Sequence, residues 1–346
     1  MHYLSTKIKL NKGIALVAVL LIVALVSVIA TSMTQTNLIE IRRSGNIYDY
    51  QQARHYLIAA EQLAISQFEG NKRDIKRDDL GQFWASDALM FPVERGNLSG
   101  EIIDLNRCFN INSLVKEKED RSLVAGKDNT SYNAYISLLS ILELPTQLVD
   151  SLIDWLDTNT DEISYDGAED NYYELLIKPY KSANTLISDI SELRLIKGYT
   201  AEVYNKLSPF ICALPKADYL KININTIMQA EILTMLIPEL SLNNAREIID
   251  TREPEGFKSQ EDFFALAQFS GININNSVKS ILQLDSDYFI LKAKAEIGKS
   301  RSYLTSLLQQ QGSKQVKVIW RHFKKHPAPF PKENERKTLT KGTIVE

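Results

Sequence analysis

Apolar residues run from Ile14 to Ala30 with only Ser27 interrupting them, and the run reaches Met33 at lower density. That is about 20 residues, or about 30 Å of helix, enough to cross the hydrocarbon of a bilayer. The pattern then changes without stopping. From Thr34 to Phe68 it turns amphipathic, and Leu57, Ala60, Leu63, Ala64 and Phe68 recur at three- and four-residue steps, the spacing of one helix face. The spacing predicts one helix of about 55 residues, bare and apolar in its first half and one-faced in its second. Ser44-Gly45-Asn46 marks an expected bend.

The period changes again near residue 96. Gly100-Glu101-Ile102-Ile103-Asp104-Leu105 reads as a strand, and Tyr288–Ile297 partly alternates apolar and polar positions, as a half-buried strand does. Tyr303–Leu308 and Val316–Trp320 are further strand candidates. Between the two β parts the periodicity is helical: Tyr132–Leu142, Thr146–Asp157, Ile187–Lys197, Ala201–Leu207, Thr226–Leu236, Leu242–Thr251, Ser259–Phe269 and Ser277–Leu284. Pro145 and Pro238 fall at helix edges, where proline is tolerated. The expected class is α+β: a long N-terminal helix on a small antiparallel sheet, with a large all-α insertion. The expected segments are 1–13, 14–33 (spanning), 34–112, 113–285 (inserted helices), 286–325 (closing strands) and 326–346 (a basic tail). A short repeat lies inside the helical part, where Phe109-Asn110-Ile111-Asn112-Ser113-Leu114 resembles Ile222-Asn223-Ile224-Asn225-Thr226-Ile227. Asn112 and Asn225, each before Ser or Thr, suit helix N-caps and mark the starts of two related subdomains.

Composition adds little: 44% hydrophobic, 24% charged, and a net charge of −3, which gives no global argument for nucleic-acid binding. The placement of charge says more. Lys7, Lys9 and Lys12 precede the apolar run with no acid among them, which holds that end in the cytoplasm and sends the rest outside. Three readings compete for the apolar run. One is a signal cut near Val28-Ile29-Ala30, another is an uncleaved anchor, and the third rests on Lys12-Gly13-Ile14. There a basic leader ends in glycine and the apolar helix begins at the next residue, which resembles the leader of type IV pilins and pseudopilins. The unbroken helical pattern past Thr34 favours this third reading. Cys108 and Cys212 then lie in an oxidising compartment, where an isolated pair favours one disulfide; in the cytosol they would be buried thiols.

Further stretches carry a more specific resemblance. They include Lys12-Gly13-Ile14-Ala15-Leu16, Asp49-Tyr50-Gln51-Gln52-Ala53 and Cys108-Phe109-Asn110-Ile111-Asn112. They continue through Ala168-Glu169-Asp170-Asn171-Tyr172-Tyr173, Ser191-Glu192-Leu193-Arg194, Cys212-Ala213-Leu214-Pro215 and Ile222-Asn223-Ile224-Asn225-Thr226. In order and spacing, over about residues 7–320, the chain resembles the K-type minor pseudopilins of the type II secretion system. The resemblance implies a pilin core with a helical insertion of SAM or helix-hairpin-helix kind. It implies cleavage after Gly13 by the prepilin peptidase, methylation of Ile14, and residence as a single-pass inner-membrane protein with its C-terminal domain in the periplasm. The implied partners are the I- and J-type subunits, the major pseudopilin and the inner-membrane assembly platform. Ala18 departs from the usual glutamate five residues after the cut, which fits a subunit used once, at a filament tip.

The acidic run from Asp157 to Asp170 holds six carboxylates in fourteen residues and no lysine or arginine. Asp157-x-Asn159-x-Asp161 matches the start of an EF-hand loop, but Glu162 stands at the glycine position and Ala168 at the closing glutamate, so this is not an EF-hand. The bland reading is a solvated loop. The resemblance implies calcium instead, two ions in the helical domain, with Asp157, Asn159, Asp161, Asp166, Glu169 and Asp170 as candidate ligands. Asn225–Phe264 resembles a helix-hairpin-helix, which raises the rival of a membrane-tethered DNA-uptake protein. The hairpin Pro238–Asn243 has no glycine and no cation, and phosphate binding needs cations, so no nucleic acid is expected. No catalytic motif is present and no enzyme is expected. The tail beyond Lys324, with Pro327, Pro329 and Pro331, reads as solvated chain.

Overall fold

The computed structural model describes residues 12–69, 76–86, 89–126, 130–312 and 315–324. The chain begins in α1 (Lys12–Glu69), then β1 (Leu89–Val93) and β2 (Gly96–Asp104). Next come β3 (Phe109–Asn110), β4 (Val115–Glu117), β5 (Leu123–Ala125), α2 (Thr130–Ile141), α3 (Leu148–Leu156), α4 (Asp170–Tyr173), α5 (Ala201–Leu207) and β6 (Ile211–Cys212). After them follow β7 (Ile222–Asn223), α6 (Ala230–Leu236), α7 (Leu242–Asp250), α8 (Gln260–Phe264), α9 (Asn276–Ile281) and β8 (Leu282–Gln283). The chain closes in β9 (Tyr288–Ile297), β10 (Ser300–Gln311) and β11 (Gln315–His322), which join β1 and β2 in one antiparallel sheet of order β1-β2-β9-β10-β11.

The helix α1 runs through Ser44-Gly45-Asn46 without a break in its helical assignment. A Cβ added at Gly45 would meet nothing, so no packing force acts there to break the helix. Its second half buries Ala53, Leu57, Ala64 and Phe68 on the sheet, while Leu63 is 44% exposed. A six-residue step from Leu57 rotates by about 600°, which leaves Leu63 off the buried stripe. The sheet face under α1 carries Phe289, Leu291, Ala293, Ala295 and Ile297 from β9 with Leu304 and Leu308 from β10. Phe68, Trp84 and Phe289 pack their rings together at one end of it. The other face, at Tyr288, Ile290 and Leu307, is covered by Leu105, Leu214 and the Cys108–Cys212 disulfide.

Two ionic contacts fix the helix on the sheet. Asp49 meets Arg95, in the β1–β2 turn, at 2.9 Å. The Gly298 backbone lies so close to Asp49 that a Cβ there would stand 2.4 Å from its Oδ2. Further along, Glu61 is fully buried and accepts hydrogen bonds from Ser306 Oγ and from Arg321, whose Nη2 lies at 2.6 Å.

The helical part departs from expectation in regularity. It is not all-α: two short parallel ladders, β3 with β6 and β7 with β8, and the β4–β5 hairpin lie inside it. Expected helix Ile187–Lys197 is a 3-10 turn over Ile190–Leu195, and Ser259–Phe269 divides into α8 and a 3-10 turn at Ala267–Phe269. The helix expected from Thr226 starts only at Ala230, because the side chains meant to cap it are engaged elsewhere. Thr226 Oγ1 donates to Asp104, and Asn225 accepts from the Phe257 amide and donates to the Phe257 carbonyl.

Asn112 plays the same part in the first repeat, accepting from the Ile187 amide and donating to the Ile187 and Leu214 carbonyls. Neither asparagine is therefore an N-cap. The residues two before them act locally instead: Asn110 accepts from Asn112 N, and Asn223 from Asn225 N. The repeat is thus structural, with each motif opening a module whose last strand returns to pair beside it in parallel. One hydrophobic core runs through both modules, from Phe109 to Leu282.

The modules join the sheet at Asp104, a buried carboxylate that accepts from Asn106 N, Thr226 Oγ1, Ser286 Oγ and Asn223 Nδ2. Burial pushes its pKa above the ordinary value, partly offset by those donors.

Removing Arg321 leaves the Glu61 carboxylate buried with Ser306 alone, so Arg321→Ala should cost about 2–3 kcal/mol. The double variant with Glu61→Ala should lose less than the sum of the singles. Urea titration of the domain from residue 34 onward measures both.

Candidate metal-binding loop

The acidic run folds back over the end of α3. Asp150 and Asp154 sit one helical turn apart on that helix, and Asp157 follows at its C-cap. Asp154 Oδ1 accepts from Ile163 N at 3.0 Å and Oδ2 from Ala168 N at 2.7 Å, so this carboxylate ties down both limbs of the loop. Asp150 takes Ser164 Oγ at 2.6 Å. The backbone comes close enough that a Cβ on Gly167 would lie 2.1 Å from Asp154 Oδ2, which reserves that position for glycine. From the far side, Lys197 Nζ donates to the Gly167 carbonyl at 2.8 Å. Thr158 ties the loop to β5 by reciprocal hydrogen bonds with Leu123.

Three carboxylates are buried in this arrangement: Asp154, Asp157 and Glu169. Burial raises all three pKa values, that of Asp154 to about 6 and those of Asp157 and Glu169 to about 7. Mutual repulsion adds to it, Asp154 acting on Asp157 and both acting on Glu169. Asp157 Oδ1 and Glu169 Oε1 are buried with no hydrogen-bond partner among the described residues. Glu169 Oε2 takes Ser182 Oγ at 2.9 Å.

The other proposed ligands are placed differently. Asn159, Asp161 and Asp166 are exposed, and the Asn159 side-chain oxygen accepts from Asp161 N. Asp170 is held by Lys181 at 2.8 Å and by Ser182, which lowers its pKa, so it is already neutralised. Asp154 is absent from the predicted ligand set, although Asp150, Asp154 and Asp157 at steps of four and three share one helix face, which was the available signal.

Among the described residues, no three His, Cys, Asp or Glu side chains stand close enough as placed to hold an ion. The donor chemistry nevertheless suits a hard cation, being oxygen only, with two buried acceptor atoms lacking donors.

Gly13 and Ile14 lie in the first turn of α1, and residues 1–11, which carry the rest of the leader, fall outside the described residues. The tail 326–346 does too. Cys108 and Cys212 form the expected disulfide, with Cα atoms 5.8 Å apart. In the hairpin of Asn225–Phe264, Leu240 is fully buried between α6 and α7, so the turn packs inward.

Comparison with known proteins gives this architecture a class. Residues 12–61 match the PilX N-terminal family. Residues 107–216 and 222–285 match the two family profiles of type II secretion system protein K, and these spans coincide with the two modules opened by the asparagine motifs. A pilin-type anchor helix laid on a sheet, with this insertion, defines a minor pseudopilin.

The chain is 35% identical to the type II secretion system protein K of Aeromonas hydrophila over 85% of this chain and 92% of that protein. It is 31% identical to that of Pectobacterium carotovorum subsp. carotovorum over 90% and 96%. The crystal structure of the GspK-GspI-GspJ complex from enterotoxigenic Escherichia coli contains a similar chain, with TM-score 0.70 and 27% identity, covering 82% of this chain and all of that one. The chain belongs to the type II secretion system protein K family, a structural component of secretion. Its apolar, exposed N-terminal helix is a candidate single membrane anchor.

The raised carboxylate values fix the sign of a pH effect. Between about pH 4 and pH 7 the folded state holds protons that the unfolded chain has released, so stability without metal falls as pH rises through that window. The metal-free domain should melt several degrees lower at pH 8 than at pH 5. Asp157→Asn with Glu169→Gln should remove most of that difference, as read by differential scanning calorimetry with a chelator present.

Proposed function

We propose that this subunit caps the pseudopilus of a type II secretion system, joined there by I- and J-type subunits and supporting export of folded proteins across the outer membrane. The observation that carries the reading is the likeness, over 82% of this chain, to a chain of a solved GspK-GspI-GspJ complex. Two features of this chain support a terminal position. Ala18 stands where a repeating subunit would present a carboxylate to its neighbour's N-terminal amine, a charge tolerated at that depth only when paired. The insertion also adds a second body beside the sheet, which hinders regular stacking. In this reading the prepilin peptidase cuts after Gly13, Ile14 becomes the methylated N-terminus, and α1 holds the protein in the inner membrane with its domain in the periplasm. The major pseudopilin then extends the filament from the inner-membrane assembly platform. The two modules are SAM or helix-hairpin-helix-like units that serve packing.

Calcium belongs to the same proposal. Asp157 and Glu169 supply the buried oxygens and Asp154 the scaffold, with Asn159, Asp161 and Asp166 near enough in sequence to close over an ion. A bound divalent ion would cancel the repulsion among the buried carboxylates.

The soluble domain mixed with its I- and J-type partners should form a 1:1:1 complex by multi-angle light scattering and should not polymerise alone. Subunits spread along labelled pseudopili would overturn the tip position. Calcium should raise the melting temperature at pH 7.5, and D157N/E169Q should abolish that rise; an unchanged wild-type curve would reduce the loop to a solvated surface. Mass spectrometry of the membrane form should find Ile14 at its N-terminus.

A further inference from the structure

We propose that Arg42 and Arg43 form a collar that binds the phosphates of anionic lipid headgroups in the leaflet facing the folded domain, and so set the depth of α1. The inference rests on the reading of α1 as a membrane anchor.

Every described residue from Ile14 to Tyr48 is exposed, and the folded domain first covers the helix at Asp49. Within that bare stretch the charges are few. After Lys12 no charge appears until Glu40, and Arg42 and Arg43 are the first cations. At 1.5 Å per residue, the apolar run Ile14–Met33 spans about 30 Å, the hydrocarbon thickness. From Ile14 to Arg42 the rise is about 42 Å, which matches a bilayer with both headgroup layers, about 40–45 Å. With Ile14 at one surface, the arginines stand at the other.

Side-chain direction works the same way. Along a helix each Cα–Cβ bond tilts toward the N-terminus, so the two guanidinium groups lean back toward the membrane. The surface they share is suited to a lipid. Ile39, Arg42, Arg43, Asn46, Ile47 and Tyr50 lie along one side of α1 at three- and four-residue steps. Its cations lie between apolar flanks, and Tyr48 and Tyr50 stand exposed just above, as interfacial aromatics do. Glu40 approaches Arg43 only at 4.0 Å, with both side chains more than half exposed, which leaves the pair a net positive site. The guanidinium fork suits phosphate oxygens. The positive-inside trend disfavours arginine so close to the outer end of a span, and orientation is already set by Lys7, Lys9 and Lys12, so the pair needs another reason to be there.

The test uses the full processed chain in phosphatidylethanolamine vesicles carrying a trace of spin-labelled phosphatidylglycerol or spin-labelled phosphatidylethanolamine. The motionally restricted lipid fraction should show a preference for phosphatidylglycerol approaching roughly 25-fold, about fivefold from each arginine at a charged surface. R42Q/R43Q should abolish that preference, R42K/R43K should keep most of it, and K317Q, beside the Glu69 end of α1, should leave it unchanged. Equal association of the two lipids with the wild type overturns the collar while the anchor stands. So does a preference kept by R42Q/R43Q when that variant fails to co-purify with the I- and J-type subunits, which would give the arginines to a partner helix. A chain that alkaline carbonate strips from the vesicles overturns the collar and the anchor reading together.

Discussion

From Ile14 to Tyr48 nothing else in the described chain covers α1, so each peptide group there has to be satisfied by the helix itself. In hydrocarbon that is the only affordable arrangement, and it extends to side chains: Ser27 and Thr31 donate their hydroxyls to carbonyls one turn back. The same rod, without interruption, then becomes one wall of a water-soluble core. Everything downstream follows from that continuity. The sheet must present an apolar face one helix wide, with small residues at Ala293 and Ala295 where α1 lies against it. The two polar contacts on that face, at Asp49 and Glu61, must each find a cation from the sheet, because a lone carboxylate under the helix would be costly.

Much of this was legible in the sequence. The long helix shows because an unbroken apolar run passes straight into a one-faced helical pattern, and β9 shows because apolar and polar positions alternate from Leu291 to Ile297. The strand β1 does not. It is five residues long, contains Pro92, and sits at a sheet edge, where neither alternation nor propensity is demanding. The helical part was legible as helical but not as to where its helices stop. There the deciding contacts are between distant residues, such as Asn225 with Phe257 and Thr226 with Asp104, and local capping preference cannot report them.

The acidic loop divides in the same way. Its concentration of carboxylates is visible in the sequence, but which of them are buried is not. Asp170, the last carboxylate of a cluster that looks like a ligand set, is taken by Lys181, eleven positions on. Asp154, outside the run, is drawn in because α3 turns it toward the backbone of Ala168. Linear density of charge therefore locates the loop, and helix geometry selects the residues.

The place where the insertion leaves the sheet has a consequence for its ancestry. Asp104 ends β2 opposite Phe289 of β9, and the Leu105 amide donates to the Tyr288 carbonyl at 2.9 Å. The two chain ends of the inserted body are hydrogen-bonded neighbours, so β2 and β9 would make an ordinary antiparallel hairpin if a two-residue turn replaced the inserted body. A body attached through one such gap can enlarge, duplicate or be exchanged without altering the register of any strand beneath it. The paired asparagine motifs each open one of its two modules, while the five-stranded sheet below keeps a register of its own.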